Sequence, residues 1–484
     1  MNFVEPLGGL APLAEPSPDL FGTVRQLVPE VATRRRIAWE LLCRITAISR
    51  ESRPFCPRRV WILAGSSRGG TSTTAELLQW QGSGNVDPQL RLLSLPGEEK
   101  PFLVLSGLAY PTRSAPWDDL TATDLTASSR RCLSGELASE IGSPWDGCSD
   151  MRLYAVQLYR RLLLQWPEQL LRLDLDECVD RLEQALRRAF PDGYRDSATA
   201  SSKALCACVQ SFPFIQPAFY DCWVGERSAA PAALSGEAWS IEETPFVLPP
   251  PWRNATSVDI EHGCVLLRDP SNAWRMGFWR AMFPDCQMNV LHLVRDPCES
   301  VQGLCDGWNH PFGFQTMPAN ESVRICGYNE HTSIGTADKW KRHRWNFSIS
   351  RFLHSRMIRH HSGIDLATVC ALQWLDAHES VLASATTHRV RRTVFSFSRL
   401  REAPPDAYQE LCDLMQLEAS EGGRSRSESF EQRWVMSTAS SGRDSHKRWR
   451  SSRFSRDIEA LLTSGFFDPT WSRLGLGRSR PGCS

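Results

Sequence analysis

Apolar residues in this chain fall into two alternating patterns. Short unbroken runs, at Val60-Trp61-Ile62-Leu63-Ala64, Cys264-Val265-Leu266-Leu267, Val290-Leu291-His292-Leu293-Val294 and within Arg392-Thr393-Val394-Phe395-Ser396-Phe397, have the length of strands buried on both faces. Longer stretches place apolar residues three and four apart and predict helices. Val179, Leu182, Leu186 and Phe190 mark one over about 176–190; Val369, Leu372, Leu375 and Val381 mark another over about 366–384. Trp274, Phe278 and Met282 share one side of a helix running from Ser271 to Phe283. Further helices are expected at about 71–81, 150–164 and 405–417, with a short one near the C-terminus. Strand, helix and strand over 264–294 imply parallel strands joined by a crossover, so the expected class is α/β, a central parallel sheet flanked by helices.

Breaks in the pattern divide the chain. Residues 1–57 form a Pro/Gly-rich lead and a helix from Val28 to Glu51, with Ile37, Leu41, Ile45 and Ile48 on one side; Pro54 and Pro57 close it. The main domain is expected over 58–475, followed by a tail at 476–484. Inside it, 106–150 and 191–255 read as irregular, the second aromatic-rich, and 106–255 as a whole reads as a helical and irregular insertion on an acceptor side. Residues 418–430, rich in Ser, Glu, Gly and Arg, are expected to be a mobile loop.

Chemistry concentrates where strands end. The first run passes into Gly65-Ser66-Ser67-Arg68-Gly69-Gly70-Thr71-Ser72 and then into a helix. Backbone N–H groups at a helix start are unpaired and carry partial positive charge, glycines allow an anion to approach closely, and hydroxyls add donors. The second and third runs exit through Arg268-Asp269-Pro270 and Arg295-Asp296-Pro297, at the edge where open α/β sheets bind ligands.

Composition narrows the partners. The 55 basic and 55 acidic residues give a net charge of zero over 484 residues, which disfavours nucleic acid and anionic membrane. The N-terminus has neither signal- nor transit-peptide character, and no apolar run approaches the about 20 residues of a membrane span, so a soluble cytoplasmic protein is expected. The 16 cysteines show no zinc spacing and read as reduced core residues; no metal is expected.

The loop lacks the Gly-Lys-Ser/Thr of nucleotide hydrolases. With its cation first, Arg68 before Gly69-Gly70 and Thr71-Ser72, it resembles the 5′-phosphosulfate loop of sulfotransferases that use 3′-phosphoadenosine-5′-phosphosulfate. Leu293-Val294-Arg295-Asp296-Pro297 and its helix are similar to that family's 3′-phosphate station. Arg268-Asp269-Pro270-Ser271-Asn272, Phe283-Pro284-Asp285 and Gln373-Trp374 follow in family-like order. The resemblance spans about 58–475 and implies a P-loop-like sulfotransferase fold. It also implies that Ser67, Arg68, Gly69, Gly70, Thr71, Ser72, Arg295 and Ser300 hold the donor nucleotide. Arg68 would stabilise charge while a sulfonate passes, without a metal, to a hydroxyl or amine of an acceptor.

Two departures stand. Gly303 lies where the family carries its 3′-phosphate serine, so Ser300 substitutes, the helix start is shifted, or that hydroxyl is missing. The C-terminal cofactor lid has only a loose counterpart in Gly442-Arg443 and Lys447-Arg448-Trp449-Arg450, for which surface charge is an equal reading. No histidine precedes His262, so the base is sought in Glu98 or Glu99, as in family branches that use a glutamate; surface charge is the competing reading. His292, inside a strand, reads as a core histidine. A small-molecule acceptor suits the Trp-rich middle section. Its identity and the oligomeric state are not readable from sequence. Alternatives are a non-catalytic nucleotide-binding module of the same fold and a P-loop kinase.

Overall fold

The computed structural model describes residues 55–79, 92–94, 98–109, 117–141, scattered positions between 151 and 170, 173–191, 200–213, 262–309, 325–326, 350–352, 364–419, 421–428 and 448–476. The helix expected at 28–51 and the tail beyond 476 lie outside them. Among the described residues there are seven strands: β1 Arg59–Ala64, β2 Leu92–Ser94, β3 Cys264–Leu267, β4 Gln287–Val294, β5 Ile325–Cys326, β6 Ile364–Asp365 and β7 Arg391–Ser396. Five make one all-parallel sheet in the order β2-β3-β1-β4-β7; β5 and β6 pair separately. The helices used below are α1 Thr71–Gln79, α2 Lys100–Leu105, α3 Ala127–Ile141, α4 Leu175–Ala189, α5 Ala200–Ser211, α6 Met276–Met282, α7 Pro297–Asn309, α8 Leu366–Thr387, α9 Phe397–Glu402, α10 Pro404–Met415, α11 Glu421–Glu428 and α12 Ser455–Thr463.

The inner strands β1, β3 and β4 are buried along nearly their whole length because helices cover both sheet faces, whereas edge strand β7 is only partly buried. Val60, Ile62 and Ala64 of β1 pack with Val265, Leu267 and Val290 against Phe278, Trp279, Ala377 and Val381 of α6 and α8. Trp61 and Leu63 point the other way, with Leu266, Leu291 and Leu293, onto Leu77 and Leu78 of α1 and Tyr408 and Leu411 of α10. Burying one such aliphatic side chain contributes about 1.5–3 kcal/mol. The class is therefore α/β, and no described helix is long and apolar enough to cross a membrane.

Several elements depart from the sequence reading. The helix expected from Ser271 to Phe283 is split. A 3₁₀ turn at Pro270–Trp274 is capped by the Asp269 carboxylate on the Ser271 N–H (2.8 Å), and α6 starts only after Arg275 at φ −123°. That break turns the Arg275 guanidinium inward onto Asp269 (2.5 Å) and the Asp118 carbonyl (2.9 Å). Within 106–150, read as mostly irregular, α3 forms. Thr126 and Ser129 cap its start reciprocally, and Leu133 and Leu137, four apart, enter the core. Helix α5 occupies part of 191–255. Within the mobile loop expected at 418–430, residues 421–428 form helix α11, docked through Gly423 on the Tyr408 ring and through Arg424 on Gln409 (2.6 Å), with Ser427 buried. Its composition is polar; tertiary contact decides its state.

Candidate functional site

Because the five strands are parallel, the segments after β1, β3, β4 and β7 meet at one edge. The β1 exit is built around glycine. A Cβ on Gly65 would lie 2.4 Å from the Leu293 carbonyl oxygen, so only glycine lets the chain leave β1 this close to β4. The turn closes with the Gly69 N–H on the Ser66 carbonyl (2.9 Å), and Arg68 sits in the left-handed region at φ +62°. Gly70 is at φ +97°, with the Phe397 ring against its α-carbon. Helix α1 then begins at Thr71 and Ser72, and no acidic residue occupies its first turn. The hydroxyls of Ser66, Ser67 and Thr74 are buried and have no hydrogen-bond partner among the described residues. An unsatisfied buried hydroxyl costs about 1–3 kcal/mol. Two of them are on the loop and the third is in the first turn of α1, so hydroxyl donors gather where the helix starts.

The β4 exit reaches this loop. Arg295 donates from Nη1 to the Arg68 carbonyl (3.2 Å) and from Nε to Glu299 (2.9 Å), while its guanidinium lies 5.4 Å from the Phe397 ring centroid. Glu299 is shared with Arg401 of α9 (3.1 Å). Asp296 caps α7 through the N–H groups of Cys298 (2.9 Å) and Glu299 (3.1 Å), so acids already fill that helix start. Ser300 is fully buried, its hydroxyl without a partner among the described residues. Gly303 has a specific neighbour: a Cβ there would lie 3.2 Å from Cβ of Arg68. The stem of Arg68 fills the space a serine would need.

Two turns along α7 from Glu299, Asp306 collects charge from elsewhere. It pairs with Arg448 (3.2 Å) and accepts from Gln302 (2.8 Å). Burial pushes its carboxyl above the usual range even though Arg448, Gln302, Arg68 and Arg453 all oppose the shift. The basic C-terminal segment is thus brought to the same helix face as Arg68, and Trp449 is buried against α7 and α8.

Glu99 is not a surface charge. It is fully buried, and its carboxylate accepts from the N–H groups of Arg268 (2.5 Å) and Asp269 (2.8 Å) and from Asn272 Nδ2 (3.0 Å). Desolvation, then the charge of Asp269, raises its pKa to about 7 against those three bonds. Lys100 and Asp118 pair beside it (3.1 Å). Glu98, one residue earlier, is half-buried. His292 is a core residue, with Nε2 2.7 Å from His378 Nδ1 and Nδ1 3.2 Å from Arg392. An arginine only donates, so His292 is protonated on Nε2 and His378 on its own Nε2; burial lowers both pKa values.

Sequence reasoning passed over Arg401, although a cation within a turn or two of a strand exit is a signal it could have used. It also passed over Asp119 and Asp376, whose pKa values burial raises to about 7 and about 6. A polar residue on the apolar face of α8 marks the second. The chain matches no protein-family model, no curated protein and no solved structure.

Proposed function

We propose that the chain is a sulfotransferase of P-loop-like fold, soluble and cytoplasmic, that moves a sulfonate from 3′-phosphoadenosine-5′-phosphosulfate to a hydroxyl or amine of a small-molecule acceptor. The observation that carries this reading is the contact between its two arginine stations. Arg295 donates to the carbonyl of Arg68 across 227 residues of sequence, beside a loop whose buried hydroxyls lack partners. The residues fit the donor nucleotide. Gly65, Gly69 and Gly70 let the loop fold tightly against Leu293, Ser66 and Phe397, and the N–H groups of Thr71 and Ser72 with the hydroxyls of Ser66 and Ser67 suit the 5′-phosphosulfate. Arg295 and Ser300 suit the 3′-phosphate.

In the reaction the acceptor oxygen or nitrogen attacks sulfur as the bond from sulfur to the 5′-phosphate oxygen breaks, releasing adenosine-3′,5′-bisphosphate. The acceptor's proton passes to a carboxylate. Preorganised donors stabilise the charge that grows on the leaving phosphate. Of the two candidate bases, Glu99 keeps a proton near neutrality but both its oxygens are engaged by the β3 exit; half-buried Glu98, one residue earlier, is the other. The engagement of Glu99 also favours a second reading, a nucleotide-binding module without transferase activity.

Thermal-shift titration with adenosine-3′,5′-bisphosphate, beside ATP with magnesium, tests the proposal. A rise in melting temperature with the bisphosphate only, growing with its concentration and abolished by Arg68→Ala or Arg295→Ala, is expected. Stabilisation by ATP with magnesium alone refutes it in favour of a kinase. Bisphosphate binding without sulfonate transfer to any hydroxyl or amine acceptor assigns the module.

A further inference from the structure

Arg401 follows the end of β7 by five residues and belongs to none of the motifs above. Its Nη2 donates to Glu299 Oε1 (3.1 Å), while its Nε and Nη1 are buried and have no hydrogen-bond partner among the described residues. A guanidinium carries five N–H donors and cannot shed its charge, so donors left buried and unused mark a place where acceptor oxygens are missing. On the other side, Glu299 Oε2 accepts from Arg295 Nε (2.9 Å). One carboxylate, 5% exposed, therefore bridges two guanidiniums on the edge that carries the loop. The hydroxyl of Ser300, next in the chain, is buried and also without a partner among the described residues.

A phosphate dianion matches this arrangement better than Glu299 does. It brings three acceptor oxygens and two charges to a pair of arginines that now share one charge. We infer that Arg401 is a further anion-binding residue of the nucleotide's second phosphate, and that Glu299 holds Arg401 and Arg295 in place until that phosphate displaces it. The inference rests on the reading that the site takes a nucleotide with two separate phosphates. Glu299 is then an internal competitor: it keeps two like charges together in the free protein and weakens ligand binding in proportion.

Calorimetric titration of the full chain with two probes, adenosine-3′,5′-bisphosphate and adenosine-5′-monophosphate, tests it. Wild type is expected to prefer the bisphosphate. Arg401→Ala should lose about 10–100-fold in affinity for the bisphosphate and little for the monophosphate, as deletion of a charge-assisted hydrogen bond predicts. Glu299→Gln should gain about tenfold for the bisphosphate alone. Arg401→Lys, which keeps the charge and the packing stem, should fall between wild type and alanine and guards against misfolding of the alanine variant. Equal loss of both probes in Arg401→Ala, or unchanged preference in both Arg401→Ala and Glu299→Gln, overturns the inference while leaving the nucleotide reading intact. Failure of wild type to bind either probe overturns both.

Discussion

Gly70→Ala is the sharpest probe of the loop. Two costs can be worked out separately. At φ +97° an L-residue is strained, by about 1–2 kcal/mol. The new Cβ would also lie 2.3 Å from two carbons of the Phe397 ring and 3.0 Å from a third, so the ring must move within a packed cluster. Overpacking of that kind costs about 1–3 kcal/mol. Together the substitution should destabilise the protein by about 2–5 kcal/mol, read as a lower urea midpoint at unchanged slope. Phe397→Ala separates the two parts. In that background Gly70→Ala meets no ring and should cost only the backbone strain, so the cycle should return a coupling of about 1–3 kcal/mol. Gly65→Ala supplies a contrast, because its clash is with the Leu293 carbonyl and Phe397→Ala cannot relieve it. A Gly70→Ala cost under about 0.5 kcal/mol, or the same cost in both backgrounds, would refute the reasoning.

Two pH dependences of opposite sign follow from buried groups. Glu99 holds its proton up to about pH 7 in the folded chain against an ordinary 4.5, so the folded state binds more protons between those values. Stability from this group is complete below pH 4.5 and declines by on the order of 3 kcal/mol as pH rises through 7; urea midpoints from pH 5 to 8 measure it, and Glu99→Gln should flatten that limb. His378 behaves inversely. Burial lowers its pKa from 6.5 to about 3, so the unfolded chain binds the extra proton, and stability falls by on the order of 5 kcal/mol between pH 6.5 and 3. His378→Phe should remove that acid loss, which circular dichroism on acid titration would report.

What was legible in the sequence follows from how each element is stabilised. Strand β3 coincides with its apolar run and β1 differs by one residue, because a parallel strand buried on both faces writes its burial as an unbroken apolar run; edge strand β7, with Phe395 as its one fully buried residue, lies within one residue of its expected span without such a run. Helices α4 and α8 were legible by their stripes; Val179, Leu182, Leu186 and Phe190 are all buried. Helix α3 was hidden because its apolar positions, Leu133 and Leu137, are few among serines and arginines, and α11 because it is held by what Tyr408 and Gln409 offer from another helix. At the site, Gly65, Gly70 and Arg295 were legible as a loop and a strand exit. The fate of Glu99 was not. A carboxylate on an exposed turn and one swallowed by three N–H donors have the same local sequence, and only the fold of residues 268–272, far along the chain, decides between them.

The same distinction governs charge. The whole chain is neutral, which disfavours bulk attraction to nucleic acid or anionic membrane. Yet helix α7 carries Glu299 and Asp306 seven residues apart, hence on one face, with Gly303 between them. Glu299 gathers Arg295 and Arg401, and Asp306 gathers Arg448 and the field of Arg68. Four guanidiniums from four separate segments thus converge on two carboxylates. Gly303 is what permits it, since any side chain there would press on the stem of Arg68. Shared acids keep these arginines close to one another without a ligand. Glu299 alone serves both Arg295 and Arg401, so a phosphate that displaced it would bring that pair two charges in place of one, which is why discrimination between one phosphate and two is the property on which the site should be judged.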